Sequence, residues 1–396
     1  MERITDDLRC TGCEACSNVC PLGCIFMQPD TEGFFRPSID QARCLECGKC
    51  VQTCPVNRDQ TPVAPLQAYG SFSLEENVRC TSSSGGVFFA LAASVLRRGG
   101  VVFGAAYSDD YYSVSHIAVE RSDDLWRLQT SKYVQSRISD SYLRAAHFLR
   151  AGRLVYFSGT PCQIAGLKAY LGKNFDNLIT QDIICHGIPS PSVWKAYLQH
   201  IEAEAGARIC NLTARSKEYG WRRYALSCLF TNERRYIQPN QTDPYLLGFQ
   251  RNLFLRNSCH ACNFKEGKSG SDLTIGDFWG LSRLLPHFDA ENGVSLVLVN
   301  TDQGRALFEA TAERLLCEAV EPEKALSGNP AYARSAVASA SREVFFASYS
   351  NQGVVKAIEL CLKKNETGIF RRSVTFLRCR LLRRERSKQK RNSVRK

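Results

Sequence analysis

Cys10-Thr11-Gly12-Cys13-Glu14-Ala15-Cys16-Ser17-Asn18-Val19-Cys20-Pro21 returns 34 residues later as Cys44-Leu45-Glu46-Cys47-Gly48-Lys49-Cys50-Val51-Gln52-Thr53-Cys54-Pro55. Both stretches read Cys-x2-Cys-x2-Cys-x3-Cys-Pro. Eight thiolates at this spacing are the ligand set of two [4Fe-4S] clusters, the fourth cysteine of each run crossing to the other cluster. The expected sets are therefore Cys10, Cys13, Cys16 and Cys54, and Cys44, Cys47, Cys50 and Cys20. A segment this short cannot bury much apolar surface, so metal assembly and folding should be coupled. Between the runs, residues 25–27 and 33–36 predict a small hairpin. Such a module moves single electrons and catalyses nothing by itself, so the rest of the chain must hold the other end of the route.

At 396 residues, the chain exceeds the size at which one core usually keeps growing. Two or three domains are expected. The longest apolar run, at 86–96, is far too short to cross a bilayer. Nineteen cysteines at metal-type spacing, without an export signal, point to a reducing cytoplasm rather than a disulfide scaffold. The formal charge of +12 is concentrated at one end, since residues 371–396 hold twelve Lys and Arg against one Glu.

Residues 60–67, with Pro62 and Pro65, read as a linker. They divide a two-cluster, ferredoxin-like domain at 1–60 from a larger domain at 61–350, and a basic helix or tail follows at 351–396. In the larger domain, a small-residue turn at 82–86 opens a helix at 87–98, followed by a strand at 101–107. A helix at 137–150, a strand at 154–158, a helix at 163–171 and a strand at 178–184 continue the alternation. Shorter polar strand-like segments occupy 208–237, and a strand at 296–300 precedes a helix at 303–315. The fold class expected is α+β or mixed α/β, with functional loops at strand ends.

Four further cysteines sit in suggestive places. Cys259-His260-Ala261-Cys262 is a Cys-x2-Cys pair in a polar loop, and two thiolates cannot complete a tetrahedral site. Cys162 and Cys185 each follow an expected strand, where a sheet presents its loops at one edge. Together the four could hold a third cluster; structural zinc and unligated thiols are the alternatives. Cys80, Cys210, Cys228, Cys317, Cys361 and Cys379 lack ligand spacing and read as core or incidental. His186 and His260 adjoin candidate ligands but equally suit solvent-facing loops.

Nicotinamides and deazaflavins exchange hydride, whereas clusters exchange single electrons; a flavin converts between the two. No Gly-x-Gly-x-x-Gly is present. Ser82-Ser83-Ser84-Gly85-Gly86 before a helix is a better phosphate cradle, though Ser and Gly there are also ordinary capping chemistry. Arg215-Ser216-Lys217-Glu218-Tyr219-Gly220-Trp221-Arg222-Arg223 gathers basic and aromatic groups suited to phosphates and a stacked ring, or forms a solvated turn with an aromatic anchor. Asp277, at a strand end, lies close in sequence to the cysteine pair.

Five segments together resemble the beta subunit of coenzyme F420-reducing hydrogenase and F420H2 dehydrogenase. They are Ser84-Gly85-Gly86-Val87-Phe88, residues 159–168 from Gly159 through Cys162 to Lys168, residues 185–191 beginning Cys185-His186-Gly187, the Cys259/Cys262 pair, and residues 272–280 ending Asp277-Phe278-Trp279-Gly280. The resemblance spans about residues 68–350. It implies FAD, one iron–sulfur centre in the main domain, and electron exchange with coenzyme F420 or another organic hydride donor or acceptor. Carried onto this chain, Cys162, Cys185, Cys259 and Cys262 would hold the central cluster. Ser84, Gly85, Gly86, Lys217 and Asp277 are the flavin-side candidates, and Arg222 and Arg223 could stabilise negative charge. Relatives also occur beside surface-polysaccharide genes without F420 metabolism, and others reduce chlorophyll-type substrates, so the acceptor stays open. A second reading is a non-catalytic electron-transfer subunit docking to a separate oxidoreductase. The expected partners are a ferredoxin or similar redox protein and a small hydride donor or acceptor. The tail suits peripheral contact with anionic membrane or an acidic protein better than nucleic acid.

Overall fold

The structure, a computed structural model, describes residues 8–363. The basic segment at 371–396, and with it Cys379, lies outside the described residues. The described chain is a small N-terminal arm joined to a larger mixed α/β body.

In the arm, β1 (Ile25–Pro29) and β2 (Phe35–Ile39) pair antiparallel in the register Ile25↔Ile39 to Pro29↔Phe35. Asp30 closes their turn: its Oδ1 accepts from the backbone N–H of Glu32 and Phe34, and its Oδ2 pairs with Arg36 at 2.6 Å. The cysteine repeat is visible in the backbone. Gly12 and Glu46 occupy equivalent positions and are both left-handed, as are Glu14 and Gly48. Each pair introduces a five-residue helix, Ala15–Val19 or Lys49–Thr53. Turns that alternate handedness in this way aim successive backbone N–H groups into one concavity, which suits sulfur-bearing anions. The arm's own apolar cluster is small, with Cys24, Ile25 and Cys50 buried and Cys16, Cys20, Ile39, Cys44 and Val51 packed against them.

The body is built on a sheet. After β3 (Gln67–Ser73) come β4 (Val101–Tyr107), β5 (Val114–Val119), β6 (Ser136–Arg137), β7 (Val155–Gly159) and β8 (Leu178–Ile183). Then follow β9 (Ile209–Ser216), β10 (Ala225–Phe230), β11 (Arg235–Pro239), β12 (Leu273–Asp277), β13 (Ser295–Val299) and β14 (Leu315–Val320). Among the described residues, nine strands form one sheet in the order β14-β3-β13-β12-β8-β7-β4-β5-β6. Its centre, β12-β8-β7-β4, is parallel. That arrangement brings the carboxyl ends of four strands to one edge, where open α/β sheets place their working loops. Alternation along β4 shows why both faces are covered. Val102 and Ala106 meet the helix Val87–Arg97, whereas Val101 and Phe103 meet the helices Ser141–Arg150 and Pro161–Leu171. Cys13 and Ala15 of the arm join that second core directly.

A separate three-stranded antiparallel sheet, β11-β10-β9, packs with the helices Pro191–Ala205, Pro244–Gln250 and Arg342–Gln352. Residues 351–363, which the sequence reading gives to the tail, contribute Val354, Ala357, Ile358 and Cys361 to this core. Two expected helices are shorter than their pattern. Residue 137 belongs to β6, and the left-handed Ser139 delays the helix to Ser141. The helix read at 303–315 stops at Glu309, and the chain turns at Thr311 into β14, which pairs along β3. The pairing partner, far away in sequence, outweighs local helix propensity.

Candidate redox site

Four of the arm cysteines, from both runs, come together at one place. A small cavity of about 30 Å³ is lined by Cys10, Cys13, Cys16 and Cys54, with Met27 and Pro37 beside them. Cys54 reaches it from the second run. Cys13 and Cys16 both lie within electrostatic reach of Cys10 and Cys54. The second set is equally local: Cys50 feels Cys44 and Cys47, and Cys20 and Cys44 border Cys24. Cys24 is a thiol the spacing did not mark. It is buried, its Sγ lies 3.3 Å from that of Cys20, and that hydrogen bond pushes the Cys24 thiol up to about 11. Cys47 is exposed.

The other four cysteines come from three loops. Cys162 sits in the first turn of the helix Pro161–Leu171, which Thr160 and Gln163 cap reciprocally, directly after β7. Cys185 follows β8, Cys259 lies within the turn Asn257–Ala261, and Cys262 ends it. Cys185 lies within electrostatic reach of the other three. Cys162 and Cys262 pack with Cys54 of the arm around Val56, Ala165 and Phe264. Burial pushes Cys162 to about 11 and Cys259 to about 12, and raises Cys185 further. As bare groups these thiols keep their protons; a positively charged centre is what would make them thiolates. Donors stand ready for such sulfurs, since Ile188 N–H lies 3.3 Å from Cys259 Sγ and Thr160 Oγ1 3.2 Å from Cys162 Sγ. Among the described residues no His, Cys, Asp or Glu group is arranged to hold a single metal ion. The arm's eight cysteines fall under the same statement, because a four-iron cubane holds its thiolates further apart than one ion does. The donor set and its burial fit a cluster.

The arm is fastened against this set. Glu14, 2% exposed, accepts from the Arg137 guanidinium at 2.5 Å and from the N–H groups of Ile138 and Ser139. Glu32 pairs with both terminal nitrogens of Arg342. Arg256 donates to the carbonyls of Cys10 and Phe35 at 2.7 and 2.9 Å. On the helix carrying Cys162, Gly166 lies one turn on, and a Cβ there would stand 3.1 Å from Cys13 Sγ and 2.8 Å from Tyr142 Oη. The absent side chain is what lets the two cysteine sets approach.

Beside them opens a cavity of about 560 Å³. Thr11 and Gly12 of the arm, Cys162, Cys185, Gln163, His116, Lys132, Arg215 and Trp279 line it, together with the loop at 82–86. Ser82 and Ser83 Oγ accept from Gln129 Nε2 and Ser131 N, which leaves both hydroxyl protons as donors. Gly86, left-handed, starts the helix Val87–Arg97, whose first N–H groups are free of intrahelical partners. An anion is favoured at such a place.

The flavin-side candidates from sequence fall into two groups. Ser84 and Gly86 line the cavity, although the Ser84 hydroxyl donates to Val294 O. Gly85 lies behind them: its N–H donates to Ser295 Oγ, and a Cβ would stand 2.4 Å from Ser71 O. Lys217 points to the backbone, donating to the carbonyls of Arg79, Ser84 and Asn292 at 2.6–2.7 Å. It fixes the loop from outside the cavity, and burial together with Arg215 pulls it down to about 7. Asp277 lines the cavity at the end of β12, pairing with Arg215 at 2.6 Å and accepting from Trp221 Nε1 at 3.0 Å. Trp221 in turn stacks on Trp279. Arg222 and Arg223 are exposed and outside the lining. Two cations stand in the wall, Lys132 and Arg215; Arg215 is buried, with its Nε unpartnered. It opened the quoted basic stretch, but nothing in that pattern set it apart. His116 is also buried in the wall. Its Nε2 donates to Ser158 O at 2.9 Å, so Nδ1 must accept from Ser136 Oγ, and burial lowers the imidazole to about 4.

Comparison with known proteins agrees with these two parts. Residues 9–58 match the 4Fe-4S dicluster domain, and residues 152–325 match the C terminus of the coenzyme F420 hydrogenase/dehydrogenase beta subunit. The chain thus carries a dicluster arm ahead of a stretch, residues 152–325, that is similar to the C terminus of the coenzyme F420 hydrogenase/dehydrogenase beta subunit. No curated protein matches the chain. Among solved structures, a chain of the F420-reducing [NiFe] hydrogenase complex from Methanosarcina barkeri, studied by xenon derivatization, is similar at 14% identity and a TM-score of 0.45. That alignment covers 78% of this chain and 93% of the other. Among the described residues, no helix is long and apolar enough to cross a membrane.

Proposed function

We propose that the chain is an FAD-dependent iron–sulfur oxidoreductase that exchanges electrons between a redox protein partner and a small organic hydride donor or acceptor, coenzyme F420 or a molecule of like chemistry. The observation that carries this reading is the contact of one cavity with both kinds of machinery: the wall of the 560 Å³ space includes Cys162 and Cys185 as well as the loop at 82–86. Iron–sulfur clusters exchange single electrons and a flavin exchanges one or two, which is the chemistry such cofactors would supply here.

The chain's own residues have the remaining tasks. Cys162, Cys185, Cys259 and Cys262 would hold a third cluster beside the two of the arm. Ser82, Ser83, Ser84 and Gly86 would bind the flavin's phosphates, with Lys217 tying that loop, through the Ser84 carbonyl, to the carbonyls of Arg79 and Asn292. Asp277 orients Arg215, whose buried guanidinium favours negative charge in the cavity. His116, kept neutral and in one tautomer, adds a polar wall without adding charge. A cavity of this size favours small-molecule chemistry over a purely electron-carrying subunit.

Anaerobic purification followed by iron, sulfide and flavin analysis tests the reading. The expected content is about twelve irons and about one flavin per chain, three four-iron clusters being implied. About eight irons and no flavin would remove both the third cluster and the flavin site.

A further inference from the structure

Three arginines are buried among the described residues, and two are conventionally paired. Arg79 faces Asp289 at 2.9 Å and Arg215 faces Asp277 at 2.6 Å. The third, Arg256, is the most deeply buried, at 1% exposed, and no carboxylate among the described residues lies within ion-pair distance of it. Its bonds go to neutral groups: Cys10 O at 2.7 Å, Phe35 O at 2.9 Å and Gln135 Oε1 at 3.0 Å. Guanidinium charge is permanent, and an uncompensated buried charge is strongly destabilising. A counter-charge is missing from the side chains alone.

The sulfurs around it supply one. Arg256 Nη2 lies 3.6 Å from Cys10 Sγ, a ligand candidate in the arm. Its backbone carbonyl accepts from the Cys259 N–H at 2.9 Å, at the start of the turn Asn257–Ala261, which places the residue beside the four-cysteine set as well. The same residue therefore stands between the first arm set and the four-cysteine set of the body. We propose that Arg256 is the shared counter-charge of these two iron–sulfur sites, a positioning residue that raises both reduction potentials together. This inference rests on the reading of the twelve cysteines as three ligand sets. Each site takes up one electron and the reductant loses one, so a four-thiolate cluster passes from a charge of about −2 to about −3. A nearby fixed cation stabilises the more negative state, so no accompanying proton is needed.

Potentiometric titration of the anaerobically purified full chain with dithionite, followed by EPR, is the test. Arg256→Gln should shift the reduction equilibria of both sites at least tenfold toward the oxidised state, about 59 mV for a one-electron couple. The second arm set, held by Cys20, Cys44, Cys47 and Cys50, should move less than about threefold and serves as the internal control. Arg256→Lys keeps the charge but loses the planar fork, and should leave both sites within about threefold of the native chain. A shift confined to one site, or none, in a chain carrying about twelve irons overturns the inference alone. A native chain with about eight irons overturns the third ligand set and the inference with it. Should Arg256→Gln fail to retain its clusters, Arg256→Lys decides: a tenfold shift there refutes the role of charge.

Discussion

The arm and the body hold their cysteines by opposite strategies. The arm's eight expected ligands lie within residues 10–54, in two runs, around a small apolar cluster built on Cys24, Ile25 and Cys50. The body's four are spread from 162 to 262 and are brought together by loops of a nine-stranded sheet with a large core of its own. In the arm, the metal must stand in for the core, so the ligand spacing is written into consecutive residues. In the body, the sheet has a core of its own and can gather side chains from anywhere its strand ends meet. Spacing is thus diagnostic in one region and uninformative in the other.

The largest effect should come from removing iron. Anaerobic chelation is expected to unfold the arm, exposing residues 8–58 to protease, because metal binding supplies most of its folding free energy. The body should keep its far-UV circular dichroism and a cooperative thermal transition. If both regions melt together, the contrast between a metal-made arm and a self-supporting body is wrong.

A smaller effect tests the seam. Gly166→Val would place methyl groups where only 2.8 Å separates a Cβ from Tyr142 Oη and 3.1 Å from Cys13. Overpacking of this kind costs about 2 kcal/mol. The arm should become protease-sensitive with its iron still bound, while β7 and β8 stay intact. Unchanged protection would mean that arm and body do not depend on this close approach.

The same contrast explains what could be read from residues alone. The strand at 101–107 and the hairpin in the arm are visible because apolar alternation and turn residues are local. Cys162 and Cys185 drew attention because each follows a strand, and the parallel centre of the sheet does bring those ends together. Long-range commitments left no such trace. Arg256 reaches Cys10 across 246 positions, and Lys217, suited by composition to a phosphate, spends its ammonium on carbonyls of residues 79, 84 and 292. Glu14, inside the cysteine run, looks like a loop residue until Arg137 and two backbone N–H groups meet it. Cys24 lies outside every spacing rule, and its contact with Cys20 is a local one, made by the turn at the left-handed Gly23.

The smallest effect concerns pH, and it belongs to the body alone. His116 is 4% exposed, and burial lowers its imidazole from 6.5 to about 4. The unfolded chain therefore binds a proton between those values that the folded chain refuses. Stability from this group is complete above the unfolded value and falls as pH drops toward the folded one. Between about pH 7.5 and about pH 5.5 the loss amounts to about 1.4 kcal/mol. His116→Asn should lower stability at neutral pH by removing a bonded core group, yet flatten the pH dependence of the body's transition by that amount. Because Ser136 Oγ and Ser158 O fix the neutral tautomer, the flattening should appear in thermal melts of the chelated chain as well as the loaded one. An unaltered slope in both would show that the imidazole is not held neutral by its burial.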